Sequence, residues 1–167
     1  MNLNKKLIVL ALASTVSISA LATTETFTAN VTGLVEPAIA NSAAVDFGDM
    51  ALAVGSTCTM DNAAATTGDC ANTGGVVGAI EVTSLTIGTR LTVLLETGVG
   101  ANVTYVPEFD LTGAVSAVTS APADVPVSVV ASATSMDIVA FGALSVTTAL
   151  TAAGAFTASY DVTVDFE

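Results

Sequence analysis

Short alternations of apolar and polar residues recur along the chain, and they predict strands rather than helices. Phe27, Ala29 and Val31 alternate with Thr26, Thr28, Asn30 and Thr32. Val45, Phe47, Met50, Leu52 and Val54 suggest a strand broken at Gly48-Asp49. Ile80, Val82, Leu85 and Ile87 carry the pattern over 77–87. Arg90 to Glu96 is apolar at alternate and at adjacent positions, which predicts a strand buried on both faces. Val103, Tyr105 and Phe109 precede a turn at Leu111-Thr112-Gly113, and 125–130 and 138–146 are further strand candidates. The last run is the clearest: Phe156, Ala158, Tyr160, Val162, Val164 and Phe166 fall at every second position. Gly33, Gly55, Gly68, Gly88, Gly113 and Gly154 are among the turn residues that separate these runs. The expectation is an all-β chain of about eight strands, a single Ig-like antiparallel β-sandwich. The Ala, Ser and Thr-rich stretches 114–124 and 147–153 read as loops or strand edges.

The first 22 residues follow a different pattern. Lys5 and Lys6 precede an apolar run, Leu7 to Ala22, that closes on Ala20-Leu21-Ala22. This is the pattern of a secretory signal peptide with cleavage after Ala22, and the run falls short of the ~20 residues that a spanning helix needs. The expected organisation is 1–22 signal peptide, 23–33 N-terminal extension or first strand, and 34–167 sandwich domain. Removing 22 of the 167 residues leaves 145, enough for one domain with one core.

Export changes the reading of the two cysteines. Cys58 and Cys70 enclose a stretch that reads as a surface loop, and an even count in an exported chain suggests a disulfide. Closing that 13-residue loop constrains the unfolded chain by roughly 3 kcal/mol.

Charge and composition then narrow the function. The chain holds 3 Lys+Arg against 15 Asp+Glu, no His and no Trp, and beyond residue 22 Arg90 is its one cation. Without histidine there is no Ser-His-Asp or Cys-His nucleophile and no His-ligated metal. The acidic balance argues against nucleic acid and anionic membranes as partners. Glu108, Asp110 and Asp124 are the carboxylates nearest to a glycosidase pair, but a sugar cleft is usually lined by aromatics and the chain has few. Asp61, Asn62 and Asp69, or Asp46 and Asp49, offer oxygen ligands for Ca²⁺ without the EF-hand spacing, so solvated loop acids are the plainer reading. Asn30-Val31-Thr32 and Asn102-Val103-Thr104 match the glycosylation sequon by chance in this context. No enzyme activity, cofactor, metal or small-molecule substrate is expected.

Two terminal patterns carry a family resemblance. Gly154 lies fourteenth from the end, apolar residues alternate after it, and Phe166 is penultimate. This resembles the C-terminal signature of chaperone–usher fimbrial subunits, in which the aromatic is usually Tyr. Val45-Asp46-Phe47-Gly48 and the closing segment from Phe141 are also similar to an uncharacterised family of bacterial secreted β-sandwich domains. The fimbrial resemblance implies that Phe27, Ala29 and Val31 are donor-strand side chains inserted into a neighbouring subunit. It implies that Gly154, Phe156, Tyr160, Val162, Val164 and Phe166 first pair with a periplasmic chaperone, with an outer-membrane usher as the later partner. The function implied is a major pilin that polymerises into adhesive surface filaments. The tight cysteine loop departs from the longer bridge of many such subunits. Two alternatives stand beside it: a self-contained secreted or periplasmic sandwich with a binding role, whose first strand is 23–33, and a glycan-binding adhesin.

Overall fold

A computed structural model of the chain describes residues 33–51, 53–71, 74–113, 115–149 and 154–167. The expected signal segment 1–22 and the donor candidates Phe27, Ala29 and Val31 lie outside these residues. Residues 33–167 form one compact unit.

The described residues are all-β. Eleven strands occur: β1 (Ala38–Ala43), β2 (Thr57–Met60), β3 (Thr66–Gly68), β4 (Gly78–Thr83), β5 (Arg90–Leu95), β6 (Gly98–Val99), β7 (Val103–Gly113), β8 (Val118–Pro122), β9 (Val127–Val130), β10 (Ser135–Val146) and β11 (Val162–Phe166). They make two antiparallel sheets, one of eight strands and one of three. In the large sheet β10 is central. One edge of β10 pairs with β4 and then with β2, the other with β7 along its length. β1 borders β4, β3 borders β2, and β6 and β8 border β7. The small sheet has the order β11-β5-β9.

β10 changes partner at one residue. Ala140 is the last to pair with β4, and Gly142 is the first to pair with β2. Gly142 has φ 124°, and a Cβ there would stand 2.3 Å from the Val106 carbonyl oxygen. Only glycine accepts that backbone at that distance from its neighbour, so the kink that aims β10 at two partners depends on it.

The sheets close on one main core. β5 contributes Leu91, Val93 and Leu95, β7 Phe109 and Leu111, β10 Met136, Ile138 and Ala140, and β4 Ile80 and Val82. Fully burying each such Leu, Val, Ile or Phe stabilises the fold by roughly 1.5–3 kcal/mol. A smaller cluster of Phe47, Cys58, Met60, Tyr105 and Phe141 sits beside it.

The alternation read from the sequence is present, with four differences. β5 is buried on one face only: Leu91, Val93 and Leu95 are covered while Thr92 and Leu94 are half-exposed, because nothing packs on the outer face of the small sheet among the described residues. β7 runs through Leu111-Thr112-Gly113 instead of turning there, since these residues pair with β10 down to Gly113↔Met136. The stretch between the cysteines is a hairpin, β2–β3, whose turn is held by the Asp61 carboxylate accepting from the amides of Ala63 and Ala65. Residues 44–51 form no strand and attach by isolated bridges, Asp46↔Val76 and Met50↔Cys70.

Candidate functional site: an open sandwich edge and its groove

β1 and β11 are edge strands of different sheets. Among the described residues β1 pairs only with β4, and β11 only with β5. Antiparallel partners share a face, so Ile39, opposite Val82, and Asn41, opposite Ile80, point toward the core. Val82 is 0% exposed, yet Ile39 is 44% exposed. The other sheet repeats the pattern. Val162, Val164 and Phe166 lie opposite Leu95, Val93 and Leu91, which are fully buried. Of the three β11 residues only Val164 is buried; Val162 and Phe166 are half-covered. Among the described residues the core is therefore only partly covered at these two strands, and Leu34 and Val35, which precede β1, add exposed apolar surface.

The segment that leads into β11 carries the rest of the site. The strand expected from Gly154 onward is regular only over Val162–Phe166; before it, Ser159 makes a single bridge to Val99. The alternation survives without the strand, for Phe156, Ala158 and Tyr160 are half-buried and the residues between them exposed. This segment presses close to β6 and its flank: a Cβ on Gly100 would stand 2.1 Å from the Thr157 carbonyl oxygen. Glycine is required there for the approach of the two backbones.

Phe156, Ala158 and Tyr160 line one wall of a groove, and Asn41, Val45 and Phe47 line another. Tyr105 of β7 and Leu144 of β10 complete it, enclosing about 240 Å³. A wider cleft of about 700 Å³ adjoins it, sharing Asp46, Gly48, Leu144 and Phe156 and adding Asp49, Met50, Val103, Val146, Gly154 and Ala155. The aromatic side chains hold one another edge to face, Phe47 on Tyr105 at 5.7 Å and Tyr105 on Tyr160 at 5.1 Å between ring centres. The Tyr105 hydroxyl donates to the Phe141 carbonyl at 2.6 Å. Burial pushes its ionisation far up, with Tyr160 and Glu108 adding, and burial likewise raises Tyr160, so both are neutral phenols. The groove thus sets the faces of Phe47, Tyr105 and Tyr160 beside polar lining that includes Asn41 and Asp46.

The remaining sequence candidates lie apart from the groove or make local hydrogen bonds. Asp110 is buried, its carboxylate accepting from the Asn62 amide at 2.8 Å and the Ser120 backbone N–H at 2.7 Å, which fastens the β2–β3 turn and β8 to β7. Asp124 accepts from the backbone and hydroxyl of Thr97, and the hydroxyl bond above all holds its carboxyl below the usual range. Glu108 is exposed on β7. Asp69 accepts from the Thr57 amide and Asp46 from the Gly48 amide. Among the described residues no three Asp, Glu or Cys gather as metal ligands do. Cys58 and Cys70 form the expected disulfide.

The alternation of Phe156, Ala158 and Tyr160 is legible in the sequence as a strand, and the opposite wall is not legible as a wall. Ile39 sits in Ala-Ile-Ala-Asn-Ser-Ala, where no alternation marks a strand; Val45 and Phe47 were visible as an alternating pair, but as a strand rather than a groove wall. No family model, curated protein or solved structure matches the chain.

Proposed function

We propose that the protein is a secreted structural subunit that polymerises by donor-strand exchange into adhesive surface filaments. The observation that supports this is the partly uncovered side of the sandwich, where Ile39 of β1 and Val162 and Phe166 of β11 face the core and no strand among the described residues roofs them. An extended segment laid along the free edge of β11 would gain main-chain hydrogen bonds, and its alternate side chains would cover the exposed apolar surface. The segment with the fitting pattern is 23–32 of a second copy, with Phe27, Ala29 and Val31 directed inward. Before assembly a periplasmic chaperone takes the same edge, first meeting Phe156, Tyr160, Val162, Val164 and Phe166, and an outer-membrane usher follows. The Cys58–Cys70 disulfide fits this reading, since it hints at an oxidising, exported location.

A second reading has its own support. β11 is already paired with β5 and Val164 is buried, as in a self-contained secreted sandwich with a binding role.

Two chains, one beginning at Thr23 and one at Gly33, separate the readings. Under donor-strand exchange the longer chain forms heat-resistant oligomers, and the shorter is a monomer of lower Tm that a peptide of residues 23–32 stabilises. A longer chain that stays a cooperative monomer at every concentration rejects the filament subunit in favour of the self-contained sandwich.

A further inference from the structure

Natural sheets guard their edges with short strands, charges, prolines or bulges, because an open row of main-chain donors and acceptors pairs with any strand it meets. Among the described residues, five of the six edge strands carry such a guard. β3 has three residues and β6 two. β8 ends on Pro122 and breaks register against β7. β9 has four residues directly after Pro126, and β11 holds Asp165 between Asp161 and Glu167. β1 is the exception. At six residues it is the longest of these edges, and Ala38-Ile39-Ala40-Asn41-Ser42-Ala43 contains neither charge nor proline. Its one irregularity falls at Ser42; Ala38 to Asn41 pair with β4 in unbroken register and are exposed.

We propose that β1 is the contact between two copies of this chain, paired edge to edge and antiparallel about a two-fold axis near Ala40. Charge identifies the occupant. The chain carries 15 Asp+Glu against 3 Lys+Arg, so two copies repel over most of their surface. From Gly33 to Val45 the only charged residue is Glu36. Antiparallel pairing puts the two Glu36 side chains at opposite ends of the contact, so a second copy meets this edge without setting carboxylate against carboxylate. A basic partner finds no anchor for its charge along β1 itself. Pairing there joins the two large sheets into one, since β1 borders β4. The axis stands perpendicular to the sheet, so inward-facing residues stay on the inner face. Ile39, 44% exposed, then packs beside a second copy's Asn41. The exposed Leu34 and Val35 ahead of β1 pass the residues that follow Ala43 in the second copy, Ala44 and Val45. Such a contact is isologous and closes at two copies. It lies on β1 rather than on β11 and needs no strand exchange.

The test uses the full exported chain with Phe27→Asp, which removes the donor pattern and leaves β1 unaltered. Sedimentation across a dilution series is expected to show monomer passing to dimer as concentration rises. Amide hydrogen exchange in the same series should slow within Ala38–Ala43 as the dimer fills, with β8 and β9 unchanged. Adding Ala40→Lys should abolish the dimer. Ala40 stands opposite Glu81, so a lysine there is accommodated within one copy, whereas two lysines repel across the axis. A chain monomeric at every concentration overturns the proposal, as does a dimer that Ala40→Lys leaves intact, or growth past two copies. β1 amides equally protected at all concentrations overturn it too, because a segment of the same chain then covers the edge. The exchange measurement needs no substitution in β1, so it decides the matter even where Ala40→Lys folds poorly.

Discussion

The two long sides of the sandwich are built differently. On one side the chain crosses between sheets through residues 123–126, from β8 to β9. The crossing is tied down: the Asp124 amide donates to the Leu95 carbonyl at 2.9 Å while its carboxylate takes both donors of Thr97. Ala121 and Val129 are buried beneath it. On the other side β1 and β11 face the core with no strand pairing between them among the described residues, and Ile39, Val162 and Phe166 are left partly bare. The comparison teaches that this sandwich is sealed where a short, hydrogen-bonded crossing ties β8 to β9, and that between β1 and β11 no strand among the described residues does the same. A free edge of that kind invites pairing, and the acidic surface, with 15 carboxylates against one cation after residue 22, discourages the indiscriminate kind.

Substitutions can break that contrast. Phe109→Ala, in the sealed core, should lower stability by about 3–5 kcal/mol in chemical denaturation. Removing the disulfide with Cys58→Ser and Cys70→Ser together should cost about 2–4 kcal/mol. Ile39→Ala, on the open side, should cost less than about 1 kcal/mol in a monomeric chain, because so much of its surface is already in water. A cost for Ile39→Ala equal to that of Phe109→Ala would show that this side is covered in solution and would dissolve the comparison. A smaller effect has the opposite sign. Glu81 and Asp137 stand directly opposite on neighbouring strands, so Glu81→Thr should raise stability by about 0.2–1 kcal/mol.

The last test concerns how the open edge is pinned. Glu167 accepts from the Thr92 hydroxyl at 2.6 Å and from the Ser128 hydroxyl, and its Oε2 lies 3.5 Å from Arg90 Nε, so one side chain straps β11 to β5 and β9. The Ser128 and Thr92 bonds, more than Arg90, hold its carboxyl below the usual range. A carboxylate with a lowered folded pKa adds stability that is present above its unfolded value and is lost as pH falls through the folded one. Acid titration of thermal stability should therefore decline below the ordinary carboxylate range, and more gently in Glu167→Gln. Identical slopes in the two proteins would mean that the strap contributes nothing to holding the edge.

The legible part of the fold was the part that alternates. β4, β5, β7 and β10 bury every second residue for much of their length, β9 and β11 shield alternate residues to a lesser degree, and that period is written largely in Val, Ile, Leu and Phe. The strands that escaped notice owe their form to their neighbours. β1 is Ala38–Ala43, almost wholly exposed, and it is a strand because β4 offers it an edge. β8 lies in a stretch that reads equally as a loop or a strand edge, because its Val-Thr-Ser-Ala-Pro carries little apolar contrast. β2 and β3 were hidden by the polar turn between them, where the cysteine pairing was legible and the hairpin was not. Asp110 gave no sign of burial, since the Asn62 amide that satisfies it comes from 48 residues away.

Arg90 opens β5, the middle strand of the small sheet, with β9 on one flank and β11 on the other. Beyond Lys6 it is also the chain's single cleavage point for trypsin, and the next residue, Leu91, has no exposed surface. A protease cannot draw the bond before Leu91 into an active site until β5 has parted from at least one neighbour. The molecule thus carries a built-in tripwire: one cut and two fragments, at a rate that counts how often its smallest sheet comes apart.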